Sequence, residues 1–256
     1  MGHLISRIRT TFARLLYKRT ILVLTILFCI AIFSALWNMS RLSSNLIESQ
    51  ALQNATLYAQ SLKESRTLYT SEVVSRARKV GGIIATHDYV MKEGAIPLPA
   101  TFLIELGERI RENNPGISVR LYSNYPFPWR EGEGGPRDDF EKEAINYLEK
   151  NSDRPYFRIE QFQGLPSFRY AQADIMKPSC VGCHNSHPDS PKTDWKVGEM
   201  RGVLEITQPL DRITNQTRAG LRETFLMLAG MSVLAIAGLT LVIGKLRQNA
   251  RELERR

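Results

Sequence analysis

The chain carries one short pattern with a recognisable chemistry, Cys180-Val-Gly-Cys183-His184. In such a pattern the two thiols can add across the vinyl groups of a haem to form thioethers, while the adjacent imidazole ligates the iron. Two intervening residues place both sulfurs at one edge of the porphyrin, and the histidine reaches the metal at its centre. The pattern therefore predicts one covalent haem c, bound by Cys180 and Cys183, with His184 as an iron ligand.

Three other chemistries fit part of the same pattern. A disulfide between the two cysteines can form outside the cell, but it gives His184 no role. A zinc site could add His184 and His187 to the cysteines, although closed zinc sites usually take ligands from two separated arms. A thioredoxin-like redox pair would stand at the start of a helix after a central strand. The residues that follow His184, Asn-Ser-His-Pro, predict a loop instead.

The sixth coordination position of the iron has three possible states: a histidine ligand, a methionine ligand, or no protein ligand. The chain has four histidines. Because His3 precedes the first apolar run and His187 shares a haem face with His184, His87 is predicted as the second metal ligand. Cys29, the third cysteine, lies inside the first apolar run and is excluded. One alternative is that the sixth coordination position of the iron is vacant, and the other is that a methionine thioether occupies it. The methionines concerned are Met91, Met176 and Met200.

Cationic and flat side chains are candidates for binding the rest of a haem. The propionates need cationic or hydroxyl partners, and the macrocycle needs apolar walls. Arg120 and Arg169 lie on predicted strands beside aromatic residues, and Tyr122 is two residues from Arg120. These three residues are predicted to bind the cofactor. The surrounding aromatic cluster consists of Tyr122, Tyr125, Phe127 and Trp129.

Two apolar runs frame the pattern, at residues 20–40 and 223–244. Each contains 21 consecutive residues without a charge. About 20 apolar residues in a helix cross the roughly 30 Å hydrocarbon layer, so both are predicted transmembrane helices. A cleaved signal peptide is the alternative for the first run. Its length, and the lack of a small-residue cleavage site after it, favour an uncleaved span.

The net charge of +8 is concentrated at the two ends of the chain. Residues 1–19 hold five cations and no acid, and residues 245–256 hold five cations and two acids. A nucleic-acid groove would need cations clustered on the folded part, so that function is excluded. Cation-rich flanks stay in the cytoplasm, which predicts cytoplasmic segments 1–19 and 245–256 on a bacterial inner membrane. The domain 41–222 is then periplasmic, where covalent haem attachment is completed.

Within this domain the hydrophobic periodicity predicts an α+β fold. A long helix is expected to continue from the first span to about Ile84, and another to lead from Pro209 into the second span. Internal helices are predicted at Pro99–Asn113 and Asp138–Lys150. Alternating segments predict strands at Ile117–Tyr122, Tyr156–Phe162, Ser167–Asp174 and Arg201–Thr207, with a turn at Gln163-Gly164. Helices around an antiparallel sheet predict a PAS-like fold.

The two membrane-proximal helices have apolar stripes too narrow to be fully buried. This favours a parallel homodimer in which four helices bundle next to the lipid bilayer. Packing of each helix on its own domain is the alternative.

Several sequence blocks resemble one family of sensors over about residues 60–210. They are Ile96–Thr101, Arg120–Ser123, Tyr125–Pro128, Cys180–Lys196 and Arg201–Glu205. The chain resembles the haem-c-binding, PAS-like extracytoplasmic domains of bacterial adenylate cyclases, chemoreceptors and histidine kinases. The resemblance implies a PAS-like fold, one haem c, and sensing of redox state or a diatomic gas. Some relatives are thought to use a distal cysteine, whereas no cysteine of this chain is placed for that role.

The main expectation is therefore a membrane-anchored haem c sensor. Only residues 245–256 follow the second apolar run, so the output is expected to belong to a cytoplasmic partner protein. The alternatives are a tethered electron-transfer cytochrome with a redox-partner complex, or an accessory haem subunit of a respiratory complex. No nucleophile–base pair, phosphate-binding loop or acid pair stands out, so the protein is not expected to be an enzyme.

Overall fold

The structure, a computed structural model, describes residues 20–254 of the chain. The predicted cytoplasmic segment 1–19 lies outside the described residues. The chain divides into two compact units. One contains the residues up to Ile47 and those from Ile213 onward, and the other is Glu48–Arg212.

Six α-helices and six strands make up the described chain. The helices are α1 (Thr20–Leu68), α2 (Ser75–Ala77), α3 (Pro99–Asn113), α4 (Asp139–Leu148), α5 (Pro178–Ser186) and α6 (Asp211–Glu254). The strands are β1 (Ile84–Thr86), β2 (Ala95–Pro97), β3 (Ser118–Tyr122), β4 (Tyr156–Phe162), β5 (Leu165–Ile175) and β6 (Met200–Pro209). A π-helical turn, Tyr69–Val74, separates α1 from α2, and short 3-10 helices occur at Tyr89–Met91 and Pro128–Arg130.

Two of the helical segments are long and apolar enough to cross a membrane. They are Leu22–Ala77 and Ala219–Lys245, whose mean hydropathy reaches 2.3 and 2.4. Both match the apolar runs found in the sequence, and they are compatible with a protein that crosses the membrane twice.

The central sheet of the folded unit is antiparallel, with strand order β3-β6-β5-β4. The β4–β5 hairpin turns at Gln163 and Gly164, which have φ angles of 51° and 80°. Two consecutive positive φ angles are typical of the type I′ turn, whose twist matches that of the strands. Strands β1 and β2 form a separate parallel pair. The α+β, PAS-like prediction is confirmed, since each predicted strand and internal helix has a counterpart.

The two faces of this sheet pack against different helices. Tyr122, Ala171 and Val203 belong to a buried apolar cluster with residues of α4. Because side chains alternate along a strand, Leu121 and Tyr170 lie on the opposite face. On that side α3 packs on β3, where Gly107 lacks the Cβ that would meet the Val119 side chain at 2.8 Å.

Local sequence explains the two helices that cover the sheet. Helix α3 begins with Pro99 at its first turn, where the missing N–H costs nothing. Helix α4 begins after Asp138, whose carboxylate accepts a hydrogen bond from the backbone N–H of Glu141 at 2.9 Å. The proline and the capping aspartate fix the helix starts that the sequence predicted.

Candidate functional site

The Cys-Val-Gly-Cys-His pattern lies on a helix, α5, and the prediction of a loop there is wrong. Helix α5 begins at Pro178 and ends at Ser186. The segment lacks an apolar period and contains Gly182, which explains why the sequence gave little helical signal. Residues three and four apart share one side of a helix, so Cys180, Cys183 and His184 lie on the same side of α5.

That side of α5 lines a cavity of about 370 Å³ inside the folded unit. This volume is within the usual range of small-molecule and cofactor sites. The cavity is also lined by the end of α1 and the π-helical turn, the start of α3, strand β3, the loop before Glu131, and the start of β6. Two long-range contacts join these walls. Arg66 pairs with Asp174, and the Lys177 ammonium donates a hydrogen bond to Thr67 at 2.8 Å.

Much of the remaining cavity wall is apolar. The side chains concerned are Val74, Leu98, Ile104, Leu121, Phe127, Trp129, Ile175 and Met176. Among them Phe127 and Trp129 are stacked, with ring centroids 4.5 Å apart and an interplanar angle of 18°. Flat aromatic surfaces of this kind suit a planar macrocycle.

Four arginines also line the cavity: Arg66, Arg78, Arg130 and Arg201. Arg66 is neutralised by Asp174. Arg130 and Arg201 form no ion pair with a carboxylate of residues 20–254. Their partners are neutral, such as the Leu121 carbonyl for Arg130 and the Ser123 hydroxyl for Arg201. They therefore remain available for an anionic group.

Arg201 also contacts the histidine of the pattern. Its Nε donates a hydrogen bond to Nδ1 of His184 at 3.3 Å. Burial, followed by the charge of Arg201, lowers the pKa of His184 to about 4. The imidazole is therefore neutral at physiological pH, which is the form that ligates iron.

Sequence reasoning did not identify Arg201 or Arg130 as candidate cofactor contacts. Arg201 opens the Arg201–Glu205 block on which part of the family resemblance rests, and that position was the available signal. Arg130 follows the aromatic Pro126–Trp129 segment without any distinguishing pattern of its own.

Of the three predicted cofactor contacts, the structure brings one to the cavity. Tyr122 is a lining residue and belongs to the buried cluster on the α4 side of the sheet. Arg120 instead bonds the Glu141 carboxylate at 2.7 Å. Arg169 is 2% exposed and donates hydrogen bonds to Asp138 and Glu205. Neither arginine lines the cavity.

The predicted second ligand, His87, is not brought to the cavity wall. It is exposed, and its ring lies flat on Trp129 with centroids 4.1 Å apart and an interplanar angle of 5°. Its role as an iron ligand stays a prediction. Among the competing methionines, Met176 lines the cavity, Met200 does not line it, and Met91 is 91% exposed.

The structure also bears on the alternative chemistries of the two cysteines. No group of three His, Cys, Asp or Glu side chains in residues 20–254 is arranged to hold a metal ion. The argument against a thioredoxin-like pair does not hold, because Cys180 stands in the first turn of a helix that follows strand β5. A redox pair or a disulfide would nevertheless leave the histidine, the arginines and the cavity without a role.

The residues present fit a haem c. Cys180 and Cys183 could form the thioethers, His184 could ligate the iron, and Phe127 offers an aromatic wall. The unpaired arginines of the cavity could bind two propionates, for which they offer both charge and planar hydrogen-bond donors.

Comparison with known proteins gives a family and one solved structure. Residues 43–209 match the family described as Tll0287-like. A crystal structure of the cyanobacterial heme-protein Tll0287 is similar over 62% of this chain and 95% of that chain, with a TM-score of 0.44 and 16% identity. No curated protein matches the chain.

Proposed function

The chain belongs to the Tll0287-like family, and we propose that it is a membrane-anchored sensor subunit with one covalent haem c. The observation that carries this proposal is the convergence of Cys180, Cys183 and His184 on one side of α5, facing a single cavity. Tll0287 itself is described as a heme-protein. A bound haem would supply an iron whose charge changes on reduction and whose ligation can change with a gas.

The contacts between α1 and the segment that leads into α5 support a sensing role. Thr67 accepts a hydrogen bond from Lys177, the residue before α5, and Arg66 pairs with Asp174 near the end of β5. The segment that leads into the haem-binding helix is thus tied to the helix that continues toward the first apolar run. A change in the position of α5 would alter these contacts and bias α1 between two arrangements.

The proposed location is a bacterial inner membrane crossed twice, with the haem domain in the periplasm and both termini in the cytoplasm. The cationic flanks of the two apolar helices support this orientation. The protein acts without catalysing a reaction, and passes its signal to a cytoplasmic output protein.

The proposed protein partner is a second copy of the chain. Leu57 and Leu68 are 65% and 64% exposed on α1, and their spacing of 11 residues places them on one side of the helix. Exposed leucines aligned in this way suit a parallel helix pair. Disulfide crosslinking of Leu57→Cys should exceed that of Thr56→Cys, an exposed position about 100° away on the helix. Equal crosslinking at both positions would contradict the dimer.

A membrane-tethered electron-transfer cytochrome is the second candidate function. It is favoured by the neighbouring aromatic rings that extend from His184 to the exposed His87. Reduction by a quinol oxidoreductase or another cytochrome, fast and without any effect on Leu57→Cys crosslinking, would favour this candidate over the sensor.

The decisive experiment is to produce the chain in cells that mature c-type cytochromes and to stain a denaturing gel for haem peroxidase activity. The stain should be kept in Cys29→Ser and lost in the Cys180→Ala, Cys183→Ala double variant. A mass increase of one haem and optical spectra with and without carbon monoxide would then give the number of haems and the state of the sixth position. An unstained parent protein would overturn the proposal.

A further inference from the structure

Four aromatic rings form a continuous series from α5 to the surface of the folded unit. Phe127 lies 5.4 Å from His184 between ring centroids, and Trp129 stacks on Phe127 at 4.5 Å. His87 then stacks on Trp129 at 4.1 Å. Trp129 is therefore held between two nearly parallel rings, with interplanar angles of 5° and 18°.

The outer end of this series is set in the most exposed apolar side chains of the folded unit. His87 is itself exposed, and the following 3-10 helix presents Val90 and Met91, which are 79% and 91% exposed. These two neighbouring side chains form a small apolar surface that a protein partner could cover. Lys92 and Asp88 neutralise each other beside them.

We propose that the His87–Trp129–Phe127 stack is the route by which an electron from a one-electron donor enters the site at His184. This inference rests on the proposed haem. Rings in van der Waals contact couple a donor to an acceptor better than solvent or a gap of the same length. One electron leaves the donor and reduces ferric iron to ferrous iron, and no bond or proton is transferred. With the rings in place, the gaps that the electron must cross are only those between neighbouring rings.

The test injects an electron at the outer end of the stack in the full-length, haem-loaded protein. A cysteine-reactive ruthenium bipyridyl photosensitiser is attached to Met91→Cys in a Cys29→Ser background, and haem reduction is followed after a laser flash. Trp129→Leu removes the central ring, and Trp129→Phe keeps one. We expect Trp129→Leu to slow reduction by about tenfold and Trp129→Phe to stay within about twofold of the parent.

A second label position controls for general damage. Lys150 is exposed at the end of α4, away from the stack in sequence and in its contacts. Injection from Lys150→Cys should be unaffected by Trp129→Leu. His87→Ala, an exposed substitution that should leave the fold intact, should slow injection from position 91 without altering the optical spectrum.

Several results would overturn the inference. They are an unchanged rate in Trp129→Leu from position 91, an equal slowing from both label positions, or a changed iron spectrum in His87→Ala, which would make His87 a ligand. A parent protein with no covalent haem would overturn the proposed function and this inference together. If the parent carries haem but its rate of haem reduction does not depend on the stacked rings, this inference alone is overturned.

Discussion

The two faces of the central sheet both use arginines, but in opposite ways. On the α4 side, Arg169 is surrounded by the carboxylates of Asp138, Glu160 and Glu205, each bonded to it at 2.7–2.8 Å. On the cavity side, Arg201 has the Ser123 hydroxyl, the Tyr125 carbonyl and His184 as partners. The α4 face neutralises its cations within the protein, whereas the cavity face leaves Arg130 and Arg201 without a carboxylate partner among residues 20–254.

This difference separates a structural arginine from a binding arginine. A buried cation paired with carboxylates gains nothing by moving toward a ligand, because the carboxylates would be left buried and unpaired. A cation bonded to neutral groups loses little when an anionic group replaces some of those bonds. The predictions below test this separation.

The largest effect is expected from Arg169→Ala. Removing the 2%-exposed guanidinium leaves the buried Glu205 carboxylate without its counter-charge and takes a partner from the partly exposed Asp138 and Glu160, so the domain should lose about 3–5 kcal/mol of unfolding free energy. Urea denaturation measures the loss. The haem content of the folded fraction should not change. A stable Arg169→Ala protein that fails to retain haem would break the comparison and return Arg169 to the cofactor.

Sequence reasoning could not have separated the two kinds of arginine. Arg120 and Arg169 are cations on strands beside aromatic residues, which is what a propionate contact looks like in a sequence. Their carboxylate partners are distant along the chain, since Glu205 is 36 residues from Arg169 and Glu141 is 21 residues from Arg120. Only the folded sheet shows that these charges are already paired.

The predictable parts are those governed by local pattern. Alternation placed β4 within the residues observed, and Pro99 and Asn113 bound α3 as the sequence indicated. Helix α5 was missed because cysteines, a glycine and a histidine occupy positions where an amphipathic helix would have apolar residues. Its helical state therefore depends on packing at the cavity rather than on intrinsic helix propensity. The π-helical turn left no sequence signal either.

A smaller, pH-dependent effect is expected from Glu205, also on the α4 side. Burial is the main reason why the pKa of Glu205 rises from 4.5 to about 7. The positive charge of Arg169 lowers this pKa, and the negative charge of Glu141 raises it further. Thr207 bonds one of its oxygens, and Tyr122 also faces it. Because the folded state then binds more protons than the unfolded state, stability should fall as pH rises from about 4.5 to 7, by up to about 3 kcal/mol.

The measurement for Glu205 is thermal or urea unfolding at a series of pH values. Glu205→Gln should flatten the slope between about pH 4.5 and 7, because the amide cannot titrate. An identical slope in Glu205→Gln would show that another group of the cluster binds the proton, and would weaken the description of this face as fully neutralised.

Asp174, on the cavity side, should show the opposite dependence on pH. Its burial favours the neutral acid, but the charge and hydrogen bonds of Arg66 outweigh burial and hold its pKa below 3.8. The folded state then binds fewer protons, so the contribution is complete above about pH 4 and is lost as the pH falls further. Asp174→Asn should lose about 2 kcal/mol at neutral pH, measured by urea unfolding.

The Asp174 result sharpens the comparison because this pair lies on the side where other cations are free. Asp174→Asn should also remove part of the stability slope below about pH 4. A variant with the parent's stability at every pH would show that the pair does not hold α1 to β5, and the proposed link between the haem segment and α1 would fail with it.

The smallest effect on stability is expected from Arg130→Ala combined with Arg201→Ala. Neither arginine pairs with a carboxylate of the described residues, so the loss should be limited to hydrogen bonds with neutral groups, about 1–1.5 kcal/mol. The midpoint potential of the haem should nevertheless fall, because removing two nearby cations favours the more positive ferric state. Potentiometric titration measures this.

The matched control is Arg158→Ala. Arg158 lies on strand β4, and its guanidinium pairs with Glu143 of α4 and Glu160 of β4. This substitution should leave the potential unchanged. Equal shifts in both proteins would mean that overall charge, and not the cavity, sets the potential.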